Sequence, residues 1–267
     1  ISGFPEWTPE QTFLQQHCIQ IIAEQFELHG FVPLETRSVE PLSVLLSKGD
    51  DKEIYVLRRL HEPLADSSKN IQEQLGLHFD LTIPFARYVI EHQHALVFPF
   101  KRYQIQKSWR GERPQEGRYR EFYQCDIDVI GAGELDVSQD AQMASTLLNT
   151  LAKLPIPPVE LRLNNRKVLQ GFYQALGITD LTQTLRIVDK LDKIGPEAVA
   201  ALLIAELKLS ETDTAQIIQL AQIKGTTDAI AQARALGASH PQFFEGLAEL
   251  ETVLALTNHP SIIVDFS

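Results

Sequence analysis

"SWRGERPQEGRYREFYQCDIDVIG", residues 108–131, sets four arginines in its first thirteen positions, inside a chain of 267 residues with a formal net charge of -11. Arg110, Arg113, Arg118 and Arg120 belong to a loop whose Pro114 and Gly117 are turn formers. The flanking segments, about Lys101 to Arg110 and Arg120 to Ile130, read as two strands. Side chains alternate between the faces of a strand, so Phe122, Gln124, Asp126 and Asp128 share one face, with Tyr123, Cys125, Ile127 and Val129 on the other. Arg102, Gln104, Gln106, Ser108 and Arg110 share a parity on the preceding strand. An antiparallel pairing therefore predicts one surface bearing guanidinium, ring, amide and carboxylate. Guanidinium forks match phosphate oxygens and an aromatic face stacks on a purine, so this surface suits an anionic ligand with a planar base. A carboxylate or amide deeper on the strand suits a cationic or hydrogen-bonding substrate. The plainer alternative is a solvated basic loop at a sheet edge, where charge blocks aggregation.

Outward from this hairpin, Thr8, Pro9 and Gln11 form a capping signature for a helix running to about His29, closed by Gly30. Its Phe13, Leu14, Ile21, Ile22 and Phe26 approximate one apolar stripe. "FVPLETRSVEPL" is extended because Pro33 and Pro41 hold the residues before them out of helical geometry. "KEIYVLRRL" is hairpin-like, and "LGLHFDLTIPFARYVI" predicts a strand running into a helix, with His78, Asp80 and Thr82 on one strand face. A helix is expected from Glu134 to Lys153, then a strand in "VELRLN". From Arg166 to Asn258, Ala, Leu, Ile and Gln at helical spacing predict an almost wholly helical lobe. The apolar ending "SIIVDF" is expected to return to the first lobe's sheet as a buried strand.

The acidic balance excludes a surface that grips nucleic acid all over, so any such contact must be local. Cys18 and Cys125 form no CxxC pair, and neither a disulfide framework nor a zinc knuckle is indicated. No apolar run reaches membrane-spanning length and the start lacks signal-peptide features, so a cytoplasmic protein with no membrane partner is expected. "GAGELD" at 131–136 is neither GxGxxG nor a Walker sequence, and Ser108 lacks the hydrolase elbow context. His92 and His94 lack companion ligands at metal-site spacing. The absence of an initiator Met and the abrupt end suggest a fragment, or a longer chain of which only part is shown.

"RGERPQEGRYREFYQ" resembles the second signature motif of class II aminoacyl-tRNA synthetases, and its ERPQ-x-GRYREF form resembles the histidyl-tRNA synthetase family. "GFPEWTPEQ", "HGFVPLETRSVEP", "LHFDLTIPFARYV" and "VELRLNNRKVLQGF" follow the family in order and spacing, so the resemblance covers essentially the whole chain. It implies an α+β fold, an antiparallel sheet flanked by helices with an inserted, mostly helical lobe. The implied domains are a catalytic core at 1–164, the insertion at 165–260, and a return strand of the core at 261–267. The implied activity joins L-histidine to tRNA(His) through a histidyl-adenylate made from ATP with Mg2+, in a homodimer, with no tightly bound protein metal.

By the same resemblance Arg110 meets the α-phosphate and substrate carboxylate, Glu112 reads the adenine amino group, Arg118 reaches the γ-phosphate and Phe122 stacks on adenine. Gln124, Asp80 and Thr82 hold the α-amino group and carboxylate, and Asp128 faces the imidazole. The bland roles are a helix cap for Asp80 and a salt bridge to a loop arginine for Asp128. Arg113 and Arg120 either shape the loop or meet tRNA. The family's "RGLDYY"-like motif and the third class motif do not occur before Ser267, so the chain alone is expected to be inactive. The rival is the synthetase-like regulatory subunit of ATP phosphoribosyltransferase, which usually lacks the ERPQ loop and the full insertion.

Overall fold

Thr8 accepts from the Gln11 backbone while the Gln11 side chain accepts from the Thr8 N–H at 3.0 Å, and this reciprocal cap starts helix α1, Pro9–Leu28. The computed structural model describes residues 1–48, 53–61 and 74–267, which divide into two compact units, Ile1–Leu135 and Asp136–Ser267.

In the first unit α1 is followed by β1 (Val32–Pro33), β2 (Val39–Pro41), α2 (Leu42–Leu45), β3 (Val56–Leu57) and β4 (Leu75–Leu77). Then come α3 (Thr82–His92) and two long strands, β5 (Phe100–Trp109) and β6 (Glu121–Ile130). Strand β5 lies between β1, parallel to it, and β6, antiparallel. A second sheet has the order β2-β4-β3. Of the hairpin-like segment at 52–60, Val56 and Leu57 pair with β4, and Lys52 lies outside the described residues.

Two expectations for this unit change. The apolar stripe of α1 is not a buried one: Phe26 is buried against Phe31 and Tyr103, whereas Phe13 and Leu14 are exposed. The strand through residues 77–82 ends at Leu77, and His78 and Asp80 sit buried in the turn before α3, while Thr82 is exposed. Asp80 Oδ1 accepts from the Ile83 N–H at 3.1 Å, so the turn is drawn into the helix start and alternation is lost.

The second unit begins with α4 (Ser138–Leu151), later than the expected Glu134 because Asp136 Oδ1 captures the Ser138 N–H at 2.8 Å in a turn. It continues through β7 (Leu161–Leu163), α5 (Arg166–Ala175), α6 (Leu181–Val188), α7 (Leu191–Ile194) and α8 (Pro196–Leu207). It ends with α9 (Glu211–Ala221), β8 (Lys224–Gly225), α10 (Thr227–Ala235), α11 (Pro241–Thr257) and β9 (Ile262–Asp265). The helical reading of residues 166–258 thus acquires one short strand, β8. The last strand pairs in parallel with β7 and antiparallel with β8, in a sheet separate from that of β5 and β6. A parallel pair needs a long crossover, and the helical excursion supplies it.

The core of this unit is formed by Val168, Phe172, Phe243, Leu247, Val264 and Phe266 among others. Helices α5 and α11 approach closely at two glycines. A Cβ on Gly171 would lie 2.4 Å from the Phe243 backbone N, and one on Gly246 would lie 2.8 Å from the Val168 backbone N. Backbone cannot yield as a flexible side chain does, so Gly171→Ala is expected to destabilise this unit by about 1–3 kcal/mol. Urea unfolding checks this, and an unchanged midpoint would contradict the close crossing.

Candidate active site

The register of β5 and β6 sets Ser108 opposite Phe122, Gln106 opposite Gln124, Gln104 opposite Asp126 and Arg102 opposite Asp128. All eight share one face, as strand parity predicts. What parity does not predict is the burial: Arg102, Gln104, Gln106 and Ser108 are buried on this polar face. The other face is covered over part of its length, where Tyr103 packs on Phe26 and its hydroxyl donates to Glu27 at 2.7 Å. Towards the loop it carries Lys107 and Trp109, both donating to Glu121, and Tyr123 is exposed.

The buried amides are held by the segment after β1. Gln104 Nε2 donates to Thr36 Oγ1 at 3.0 Å, and Gln106 Nε2 donates to the Thr36 carbonyl at 2.9 Å and Ser38 Oγ at 3.0 Å. That segment is itself pinned, since fully buried Glu40 accepts from Arg37 and from Arg87, each at 2.9 Å. Gln104 Oε1, Gln124 Oε1 and Ser108 Oγ are buried without a hydrogen-bond partner among the described residues. A buried acceptor left so costs about 1–3 kcal/mol, which makes this face suited to a ligand that brings N–H donors.

Charge is concentrated at the far end of the pair. The Arg102 guanidinium is fully buried, meets Asp128 Oδ2 at 2.5 Å, donates to the Leu81 carbonyl at 3.3 Å, and lies 4.3 Å from the centroid of the Phe85 ring. Burial lowers its pKa from the ordinary arginine value, against the pull of Asp128, Asp126 and Asp80. Burial likewise raises the Asp126 carboxyl above its usual range, opposed chiefly by Arg102. Three carboxylates thus gather round one buried cation, an environment favouring a further positive or N–H-bearing group.

At the loop end, Arg110 Nε donates to the Phe79 carbonyl at 3.0 Å and its guanidinium sits 5.1 Å from the Phe122 ring centroid. The anchor uses Nε, so the terminal nitrogens of the fork are the part suited to ligand oxygens. Glu112 and Arg118 pair with each other at 3.1 Å, and Arg118 is exposed. Such a pair is worth little, about 0–1 kcal/mol, and exchanges readily for ligand contacts. Arg120 Nε donates to the Glu112 carbonyl at 3.0 Å, and its backbone N–H donates to the Gly3 carbonyl at 2.7 Å, so this arginine shapes the loop; Arg113 is exposed.

Both bland roles are altered. Asp80, one residue before the N-cap Leu81, accepts from the Ile83 N–H in the first turn of α3, and Asp128 pairs with strand residue Arg102 rather than with a loop arginine. Thr82 stands as the first residue of α3. The His92 ring packs on Tyr88 with centroids 4.4 Å apart. Among the described residues no group of three or more His, Cys, Asp or Glu is placed to hold a metal ion, and no helix is long and apolar enough to cross a membrane. Sequence reasoning set Arg102, Gln104 and Gln106 on the ligand-facing parity without giving any of them an individual role, and it did not single out Thr36. The signal was present for three of them, as alternate polar residues in the middle of a ten-residue strand.

An antiparallel pair joined by an arginine loop carries a ring, amides and carboxylates on one recessed face, the arrangement that the resemblance to class II aminoacyl-tRNA synthetases implies. The chain belongs to the histidyl-tRNA synthetase family, whose model matches residues 3–267. It is 52% identical to the histidine–tRNA ligase of Thermobifida fusca, in an alignment covering 100% of this chain and 61% of that one. The fold is similar to a crystal structure of histidyl-tRNA synthetase from Nostoc sp. PCC 7120, with a TM-score of 0.86 at 34% identity, over 99% of this chain and 60% of that one. An ATP phosphoribosyltransferase regulatory subunit/histidyl-tRNA synthetase from Bacillus halodurans C shares the fold, with a TM-score of 0.81 at 18% identity over 99% of this chain and 66% of that one. The chain therefore spans about 60% of the length of the relatives it matches.

Proposed function

We propose that this chain supplies the histidine- and ATP-binding hairpin of a histidine–tRNA ligase. One observation carries the reading: Arg110 beside the Phe122 ring at the loop end, and Asp128 deeper on the same strand face. In the proposed reaction a carboxylate oxygen of histidine attacks the α-phosphorus of ATP. The bond to the β-phosphate oxygen breaks and pyrophosphate leaves. A hydroxyl of the tRNA's terminal adenosine then attacks the carbonyl carbon, and AMP leaves. Arg110 neutralises the α-phosphate and the attacking carboxylate, Arg118 reaches the γ-phosphate, Glu112 reads the adenine amino group and Phe122 stacks on the base. Mg2+ accompanies ATP as part of the substrate. Asp80, Thr82 and Gln124 hold the α-amino and carboxylate groups, in keeping with the buried acceptor on Gln124. Asp128 accepts from the imidazole.

Within the same reading, 1–164 and 261–267 form the catalytic core around an insertion at 165–260. The exposed Phe13 and Leu14 of α1 support a homodimer that covers them. The tRNA(His) contacts would come from the arginine loop and the helical lobe, with the salt dependence of phosphate contacts, in a cytoplasmic enzyme. The full-length protein is expected to exchange pyrophosphate into ATP only when L-histidine is present. Histidine binding with no exchange would instead favour a non-catalytic regulatory protein, and exchange driven by another amino acid would remove the substrate assignment.

A further inference from the structure

Asp128 and Arg102 occupy different depths of one layer. The Asp128 side chain is 28% exposed, so a ligand on this face can reach it, whereas the Arg102 side chain is 0% exposed and lies behind it. The guanidinium is clamped from three sides: by Asp128 across the strand pair, by the Leu81 carbonyl before α3, and by the Phe85 ring on α3. A carboxylate alone has a broad terminal torsion, and a fixed partner narrows it. Its Nη2 meets both Asp128 Oδ2 and the Leu81 carbonyl, so one nitrogen ties the carboxylate to the backbone before α3, on a planar group that keeps its charge when buried.

We propose that Arg102 is a positioning residue for substrate recognition, fixing the Asp128 carboxylate in the orientation that receives a ring N–H. This rests on the reading of Asp128 as the imidazole partner. Arg102 touches no substrate and acts through Asp128. A purely structural arginine would affect every ligand of the site alike. A positioning arginine affects histidine and spares ATP, whose proposed contacts lie at the loop end.

The test is a mutant cycle on the full-length protein, with Arg102→Met, Asp128→Asn and the double variant, reading L-histidine and ATP affinities by calorimetry. Arg102→Met is expected to weaken histidine binding about tenfold or more while ATP affinity stays within about twofold. The double variant is expected to bind histidine no more weakly than Asp128→Asn alone, because the arginine has nothing left to position. Unchanged histidine affinity in Arg102→Met, parallel loss of both ligands, or losses that multiply in the double variant would each overturn the proposal. Should Arg102→Met fail to fold, Arg102→Lys decides the matter. It keeps the charge without the planar fork, so selective histidine loss supports positioning and wild-type affinity refutes it. If Asp128→Asn leaves histidine binding unaltered, the imidazole reading falls and this inference with it. If only Arg102→Met is silent, the inference falls alone.

Discussion

Arg110→Ala in the full-length protein is expected to slow histidine-dependent ATP–pyrophosphate exchange by about 10² to 10³ fold. The size follows from where the charge appears. In the proposed reaction negative charge builds on the phosphate oxygens as the carboxylate oxygen adds to the α-phosphorus, and a cation held there in advance would stabilise the transition state without reorganising. Arg110 is held so by its Nε bond to the Phe79 carbonyl and by packing beside the Phe122 ring. Alanine removes the charge and also leaves the Phe122 ring without its neighbour, so ATP affinity should fall with the rate. Arg110→Lys keeps a charge but loses the fork, and most of the loss should persist. Single-turnover formation of adenylate separates chemistry from binding, and a rate within threefold of wild type would contradict this role.

Asp128→Ala is expected to raise the KM for histidine by on the order of 10² fold, from a loss of about 2–5 kcal/mol, with the KM for ATP nearly unchanged. Under the proposed role the ligand loses a charge-assisted hydrogen bond, which is what raises KM. The fully buried Arg102 also loses its ion-pair partner, and that cost falls on the stability of free and bound protein alike. A site built around a hydrogen-bonding ring also discriminates strongly, because an isostere without the donor leaves the carboxylate unsatisfied. The variant should therefore narrow the preference for histidine over analogues whose ring lacks an N–H. Exchange kinetics against histidine and one such analogue check both claims, and an unchanged ratio of kcat/KM values would contradict them.

The hairpin was legible because strand periodicity is a local property of the backbone. Parity alone sets which residues share the polar face, whereas the register that puts Gln104 opposite Asp126 and Arg102 opposite Asp128 belongs to the folded pair. The α1 cap is equally local, and Thr8, Pro9 and Gln11 state it within four residues. By contrast, the segment around Asp80 misled. Its alternating pattern fits a strand, yet the Ile83 N–H captures the Asp80 carboxylate and turns the chain into α3. The apolar positions of α1 show a similar limit, for Phe13 and Leu14 look like core residues and stay exposed.

By itself, then, the sequence determined the two long strands, the residues sharing their polar face, the arginine loop between them and the helical character of residues 166–258. Only the tertiary structure decided that the polar face is recessed and that Arg102 lies behind Asp128. It also decided that the last strand joins β7 and β8, and that α5 and α11 meet at Gly171 and Gly246. The division has a physical cause. Periodicity and caps depend on neighbours a few residues apart, whereas burial depends on which distant surface arrives, and α3 reaches Arg102 from the far side of a turn.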